Sequence, residues 1–145
     1  MKQVLIVASA VLAMSLASYV FAEEEKAAKL KEGSAVTAFD PQEGFKLTDS
    51  SLVSLGVRFK KISGGGPWSL PKSALVRIKH SSGVYRRTDG WIAFVLAESQ
   101  GKGSAELTIR SEDLQDGDEV AVDGASFLRM TEADLNSDTV DSCAH

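Results

Sequence analysis

The sequence predicts a mainly β fold: a small antiparallel barrel or sandwich of about seven strands with one short helix. Three observations predict it. The stretch Leu114 to Leu128 (LQDGDEVAVDGASFL) reads as turn, strand, turn, strand, with Gly117 and Gly124 at the turns and the last strand beginning at Ser126. Asp89-Gly90 is a two-residue hairpin signal between extended runs. From Ala74 onward apolar and polar residues alternate: Ala74, Val76 and Ile78 against Arg77 and Lys79, then Ala105, Leu107 and Ile109 against Glu106, Thr108 and Arg110.

Residues 1–22 carry a basic start at Lys2, an apolar run from Val4 to Phe21, and a small residue, Ala22, after Val20-Phe21. That is the pattern of a secretory signal cleaved after Ala22. The run is also about long enough for an uncleaved anchor, but its Ala and Ser content and the small residue at its end favour cleavage. Residues 23–43 open with EEEKAAKLK, charged and alanine-rich, and are expected to form a flexible leader with Val36 and Phe39 as anchors. Residues 44–130 are the expected β domain. Residues 131–145 are polar and acidic and are expected to be disordered.

Within the domain, Gly44 to Gly56 (GFKLTDSSLVSLG) reads as the short helix. Thr48 or Asp49 caps its start and Gly56 ends it. Val57 to Ile62 alternates as a strand, and Ser63 to Pro67 (SGGGP) breaks the chain before Trp68, Leu70 and Pro71. Ser81-Ser82-Gly83 is expected to turn the chain into Val84 to Arg87. Trp91 to Leu96 (WIAFVL) is apolar on both faces, as a central strand covered on both sides would be. Gly101-Lys102-Gly103 supplies a further turn.

The chain has 145 residues, a formal net charge of −4 and 43% hydrophobic residues, enough for one domain with a modest core. Its one cysteine, Cys143, forms no internal disulfide, so export without a disulfide framework points to a bacterial periplasm. Charge is segregated. Arg58, Lys60, Lys61, Lys72, Arg77, Lys79, Arg86 and Arg87 fall between Ser50 and Thr88 with no acid among them, and beyond Ser111 the only base is Arg129. Two interpretations follow: a basic face that docks on an acidic partner or an anionic membrane surface, or cations that complement the acidic half across strands. The expected docking residues are Arg77, Lys79, Arg86, Arg87 and Trp91. Nucleic acid is not an expected partner, because export removes the protein from it and stacking platforms are missing.

At the tail, Asp141, Cys143, His145 and the terminal carboxylate fall within five residues, and the thiol and imidazole suit copper or zinc. His80 would be a third ligand if the tail folded back, and is otherwise an exposed turn residue. No G-x-S-x-G is present, and Gly64-Gly65-Gly66 lacks the Lys and Ser/Thr of a phosphate loop. Trp68, Trp91, Phe94 and Phe127 are read as packing residues. A non-catalytic protein is expected.

Four segments carry a resemblance: LTDSSLVSLGVRF (Leu47 to Phe59), LPKSALVRI (Leu70 to Ile78), GVYRRTDGWIAFVLA (Gly83 to Ala97) and DLQDGDEVAVDGASFLR (Asp113 to Arg129). In this order they resemble the membrane-proximal β domain of the periplasmic adaptor subunits, the HlyD-like membrane fusion proteins, of resistance-nodulation-division (RND) efflux pumps. The resemblance covers Gly44 to Arg129. A full adaptor has a lipoyl-like domain and a long helical hairpin between such segments; here only Ser63 to Pro67 stands in that place. The resemblance therefore implies a free-standing membrane-proximal domain, an accessory or adaptor-like subunit whose partner is an inner-membrane transporter or another adaptor subunit. A periplasmic metal-binding or metal-delivery protein using Cys143 and His145 is the alternative, and a stand-alone envelope module is a third.

Overall fold

The computed structural model describes residues 33–101 and 105–141. Its architecture is mainly β, with ten strands in two antiparallel sheets, so the expected fold class is met with three more strands than expected. In chain order these are β1 (Val36–Asp40), β2 (Gly44–Leu47), helix α1 (Asp49–Ser54), β3 (Arg58–Lys61), β4 (Trp68–Pro71), a 3-10 turn (Lys72–Ala74), β5 (Val76–Ile78), β6 (Ser81–Thr88), β7 (Trp91–Leu96), β8 (Glu98–Gln100), β9 (Glu106–Arg110), β10 (Glu119–Asp123) and helix α2 (Ala125–Asp141). The larger sheet runs β1-β2-β7-β6-β10-β3, and β5 also pairs with β6. The smaller runs β4-β9-β8.

Strand β6 is the spine. Asp89 and Gly90 both take positive φ, 50° and 82°, the pair of values a two-residue type I′ turn needs, and Thr88 then faces Trp91. Along its other edge β6 pairs β5 through Ser81–Gly83 and β10 through Arg86–Arg87. Gly83 lets β7 come close: a Cβ there would overlap the Val95 carbonyl and the Phe94 ring. Across Ala97 the chain passes from β7 in one sheet to β8 in the other, and the Ala97 N–H bonds the Ser82 carbonyl at 2.9 Å.

Because side chains alternate along a strand, the larger sheet buries both faces. On one face Val84, Val95 and Val120 meet Trp68, Leu70, Leu107 and Ile109 of the smaller sheet. On the other, Tyr85, Ile92 and Ala121 meet Phe39, Phe45, Leu52 of α1, and Ala125 and Leu128 of α2.

Several expectations are corrected. The leader ends earlier than Glu43, since β1 lies within it: Phe39 is buried against the domain. Gly44 to Leu47 is a strand, and the helix begins only after Thr48, whose Oγ1 accepts from the Ser51 N–H at 3.2 Å; Gly56 ends it at φ 64°. The turn expected at Ser81–Gly83 is Lys79-His80, with Lys79 at φ 54°, and Ser81 to Gly83 belong to β6. Leu96 of β7 is 58% exposed and Ala105 is exposed, so neither has the covered position expected of it. Strand β4, not anticipated, tolerates Pro71 because it is a sheet edge, where a missing N–H costs no ladder bond.

The largest correction is α2. No strand begins at Ser126, and the tail is helical through Asp141 where disorder was expected from Thr131. Ala125, Leu128, Glu132 and Leu135, at spacings of three and four, form a helical face. Ala125 and Leu128 are buried, Leu135 packs against the same core, and Glu132 reaches the Tyr85 hydroxyl. The proposed signal (1–22), the leader up to Glu32, the turn residues Lys102 and Gly103, and the metal candidates Cys143 and His145 lie outside the described residues.

Candidate functional site

Arg86 and Arg87 are adjacent on β6 and therefore point to opposite faces of the sheet. Arg86 donates to the Asp113 carbonyl at 2.7 Å and stands 3.9 Å from Asp118. The Arg87 Nε donates to Glu119 at 2.7 Å, and its guanidinium lies 4.1 Å from the centroid of the Phe59 ring. That hydrogen bond holds the Glu119 carboxyl below its ordinary pKa, more than its partial burial raises it. Register explains the arrangement: Glu119 stands opposite Arg87 on one side and Lys61 on the other, a carboxylate between two cations. Arg58 is likewise engaged by Asp123.

Trp91 is half-buried beside this end of β6. The Lys46 ammonium sits 4.7 Å from its ring centroid, so the indole face is already occupied.

Arg77 and Lys79 lie at the other end. Arg77 is opposite Ser82 and Lys79 is in the following turn; both are exposed, and neither has a carboxylate within ion-pair distance among the described residues. From the Ser82 level to Arg87 is about 17 Å at ~3.3 Å per strand residue. The five expected docking residues are thus not one patch. Three are engaged internally at one end of β6, and the two at the other have no ion-pair partner among the described residues.

Arg77 borders an open hollow of about 510 Å³, lined also by Arg129, Ser73, Val76 and Ser126 among others. Arg129 is held there through Glu132, 3.4 Å away. Glu132 also accepts the Tyr85 hydroxyl at 2.7 Å. Burial, with this hydrogen bond second, pushes the Tyr85 phenol pKa far above its ordinary value, so the group stays a donor. Tyr85 further stacks edge-on with Phe45 and Phe94, at centroid distances of 6.4 and 5.6 Å. Sequence reasoning missed this Tyr85–Glu132–Arg129 link. The available signal was Glu132 on the Ala125–Leu128–Leu135 face, a lone carboxylate in an apolar helical stripe.

A second open groove, about 650 Å³, runs past His80, Leu96, Glu98, Arg110 and Asp113. His80 is an exposed turn residue, as expected. Among the described residues no three His, Cys, Asp or Glu side chains are grouped to hold a metal ion. Of Trp68, Trp91, Phe94 and Phe127, read as packing residues, Trp68 is buried and donates to the Ser63 carbonyl at 3.1 Å, whereas Phe127 is 46% exposed. Comparison of the chain with family models, with curated proteins and with solved structures finds no match.

Proposed function

We propose that this chain is an exported, non-catalytic β domain that docks on a membrane transport complex as an accessory or adaptor-like subunit. The partner proposed is an RND-type inner-membrane transporter or another adaptor subunit. The order of the four adaptor-like segments motivates the choice of partner. The observation that carries the docking reading is the division among the cations. Arg58, Arg86 and Arg87 each hold an acidic group of their own chain, while Arg77 and Lys79 hold none among the described residues, and Arg77 borders the hollow at Arg129. Cations without internal partners can steer an acidic surface and set its register. The docking set is accordingly narrowed to Arg77 and Lys79; Arg86, Arg87 and Trp91 support the fold around them.

The test is recovery of partners from solubilised membranes. The native chain is expected to bring down an inner-membrane transporter. Arg77→Glu/Lys79→Glu is expected to lose it, while Trp91→Phe keeps it. Recovery of no transporter, or equal recovery by the double variant, overturns the proposal.

A further inference from the structure

Strand β3 is one end of the larger sheet, and among the described residues it pairs with β10 alone. Its backbone orientation follows from its neighbour. The Ile62 N–H bonds the Asp118 carbonyl at 2.9 Å, and the Ile62 carbonyl accepts from the Gly117 N–H at 3.0 Å, so Ile62 faces the β10 side. In an antiparallel ladder the direction alternates residue by residue. Lys60 therefore also faces β10, and the N–H and C=O groups of Phe59 and Lys61 point off the sheet. Arg58, Lys60 and Lys61 are exposed and Phe59 half-buried, so this edge meets solvent.

The side chains give the edge a sign. Phe59 and Lys61 lie on one face, Arg58 and Lys60 on the other. Asp123 neutralises Arg58. Lys61 shares Glu119 with Arg87, which holds that carboxylate at 2.7 Å, and Lys60 stands opposite Val120. Among the described residues Lys60 therefore has no carboxylate within ion-pair distance, while Lys61, on the Phe59 face, borders a hollow that Arg87, Asp89, Asp118 and Glu119 also line. A strand laid here would make backbone bonds to Phe59 and Lys61 and set its side chains beside these groups.

We propose that the β3 edge binds, by strand addition, an extended segment of a partner protein in which acidic and apolar residues alternate, with a carboxylate beside Lys60 and an apolar residue beside Phe59. This goes beyond the transporter reading and does not depend on it: the site is remote in sequence from Arg77 and Lys79, and its test needs no membrane.

Full-length protein is titrated into a fluorescent peptide that alternates Glu and Val, and into a second peptide of equal charge in which prolines remove the backbone N–H groups. The alternating peptide is expected to bind at least about tenfold more tightly. Its binding should shift the Phe59 and Lys61 amide resonances, and Lys60→Glu should weaken it about tenfold while leaving the rest of the amide spectrum in place. Equal binding of the two peptides would reduce the effect to charge attraction and overturn the proposal. So would no binding at all, which would leave the lysines as guards that keep the edge unpaired.

Discussion

Val84 and Tyr85 are neighbours in sequence and end in different cores. Val84 enters a space closed by a second sheet, among aliphatic residues such as Leu70, Leu107 and Ile109. Tyr85 enters a space closed by two helices and the β1–β2 hairpin, where Phe39, Phe45 and Phe94 crowd it and its hydroxyl reaches a carboxylate on α2. The sheet-covered side is closed by strands that pair with one another and pack on the larger sheet through apolar side chains. The helix-covered side relies on a stripe of a few residues from α2 and on one polar link. The smaller sheet is a hydrogen-bonded unit of its own that meets the larger one through apolar side chains, whereas α2 meets it through a few side chains and one hydrogen bond.

The sharpest way to break this comparison is to cut one fully buried residue from each lid. Ile109→Ala and Leu128→Ala should each cost about 2–5 kcal/mol in denaturant unfolding, since both side chains are fully buried. If Leu128→Ala left the global midpoint unchanged while the α2 amides lost exchange protection, the two cores would be separate cooperative units. Gly83→Ala comes next. It drives a methyl into the Val95 carbonyl and the Phe94 ring, and about 1–3 kcal/mol should be lost. An unchanged melting profile would mean that β6 and β7 can separate freely.

Thr48→Ala removes the cap of α1 and should cost about 1 kcal/mol, seen first as faster exchange at the Ser51 amide. Tyr85→Phe removes the link to Glu132 and should cost about 0.5–1.5 kcal/mol near neutral pH. The same change has a pH signature. The phenol pKa is raised in the folded state, so its contribution is fully present below the unfolded value of 10.0 and declines as pH rises beyond it. The native chain should therefore lose stability above about pH 10 more steeply than Tyr85→Phe. Parallel alkaline curves would remove Tyr85 as the anchor of α2.

The smallest expected effect concerns Glu119. Its pKa is depressed in the folded state, so its contribution is present above the ordinary carboxylate value of 4.5 and is lost as pH falls through the folded one. Arg87→Gln should move the Glu119 titration, followed by its side-chain carbon resonance, upward toward 4.5. No movement would mean that Arg87 does not hold that carboxylate in solution.

Legibility followed the range of the interaction. The Asp89-Gly90 hairpin, the Gly56 helix stop, and the alternation of Leu107 and Ile109 were all readable, because each is settled within a few residues by backbone sterics or strand period. Helix α2 was not. Asp123-Gly124 looks the same before a strand or a helix, and Ser126, Phe127, Arg129 and Met130 hide the sparse stripe of Ala125, Leu128 and Leu135. The basic cluster was visible as composition, but whether a cation is free depends on which strand lies opposite. Arg87 and Arg77 look alike in the chain; Glu119 stands beside one and Ser82 beside the other.

By itself, then, the amino-acid order determined that the chain would form short antiparallel strands joined by glycine turns, since turn geometry and side-chain alternation act locally. Only the tertiary structure decided that the larger sheet is covered by another sheet on one face and by helices on the other, and that among the described residues Arg86 and Arg87 are engaged while Arg77 and Lys79 are not and β3 is left as an open edge. Those outcomes depend on pairings between residues dozens of positions apart, and the register of such pairings is settled by how the whole apolar surface can be buried at once.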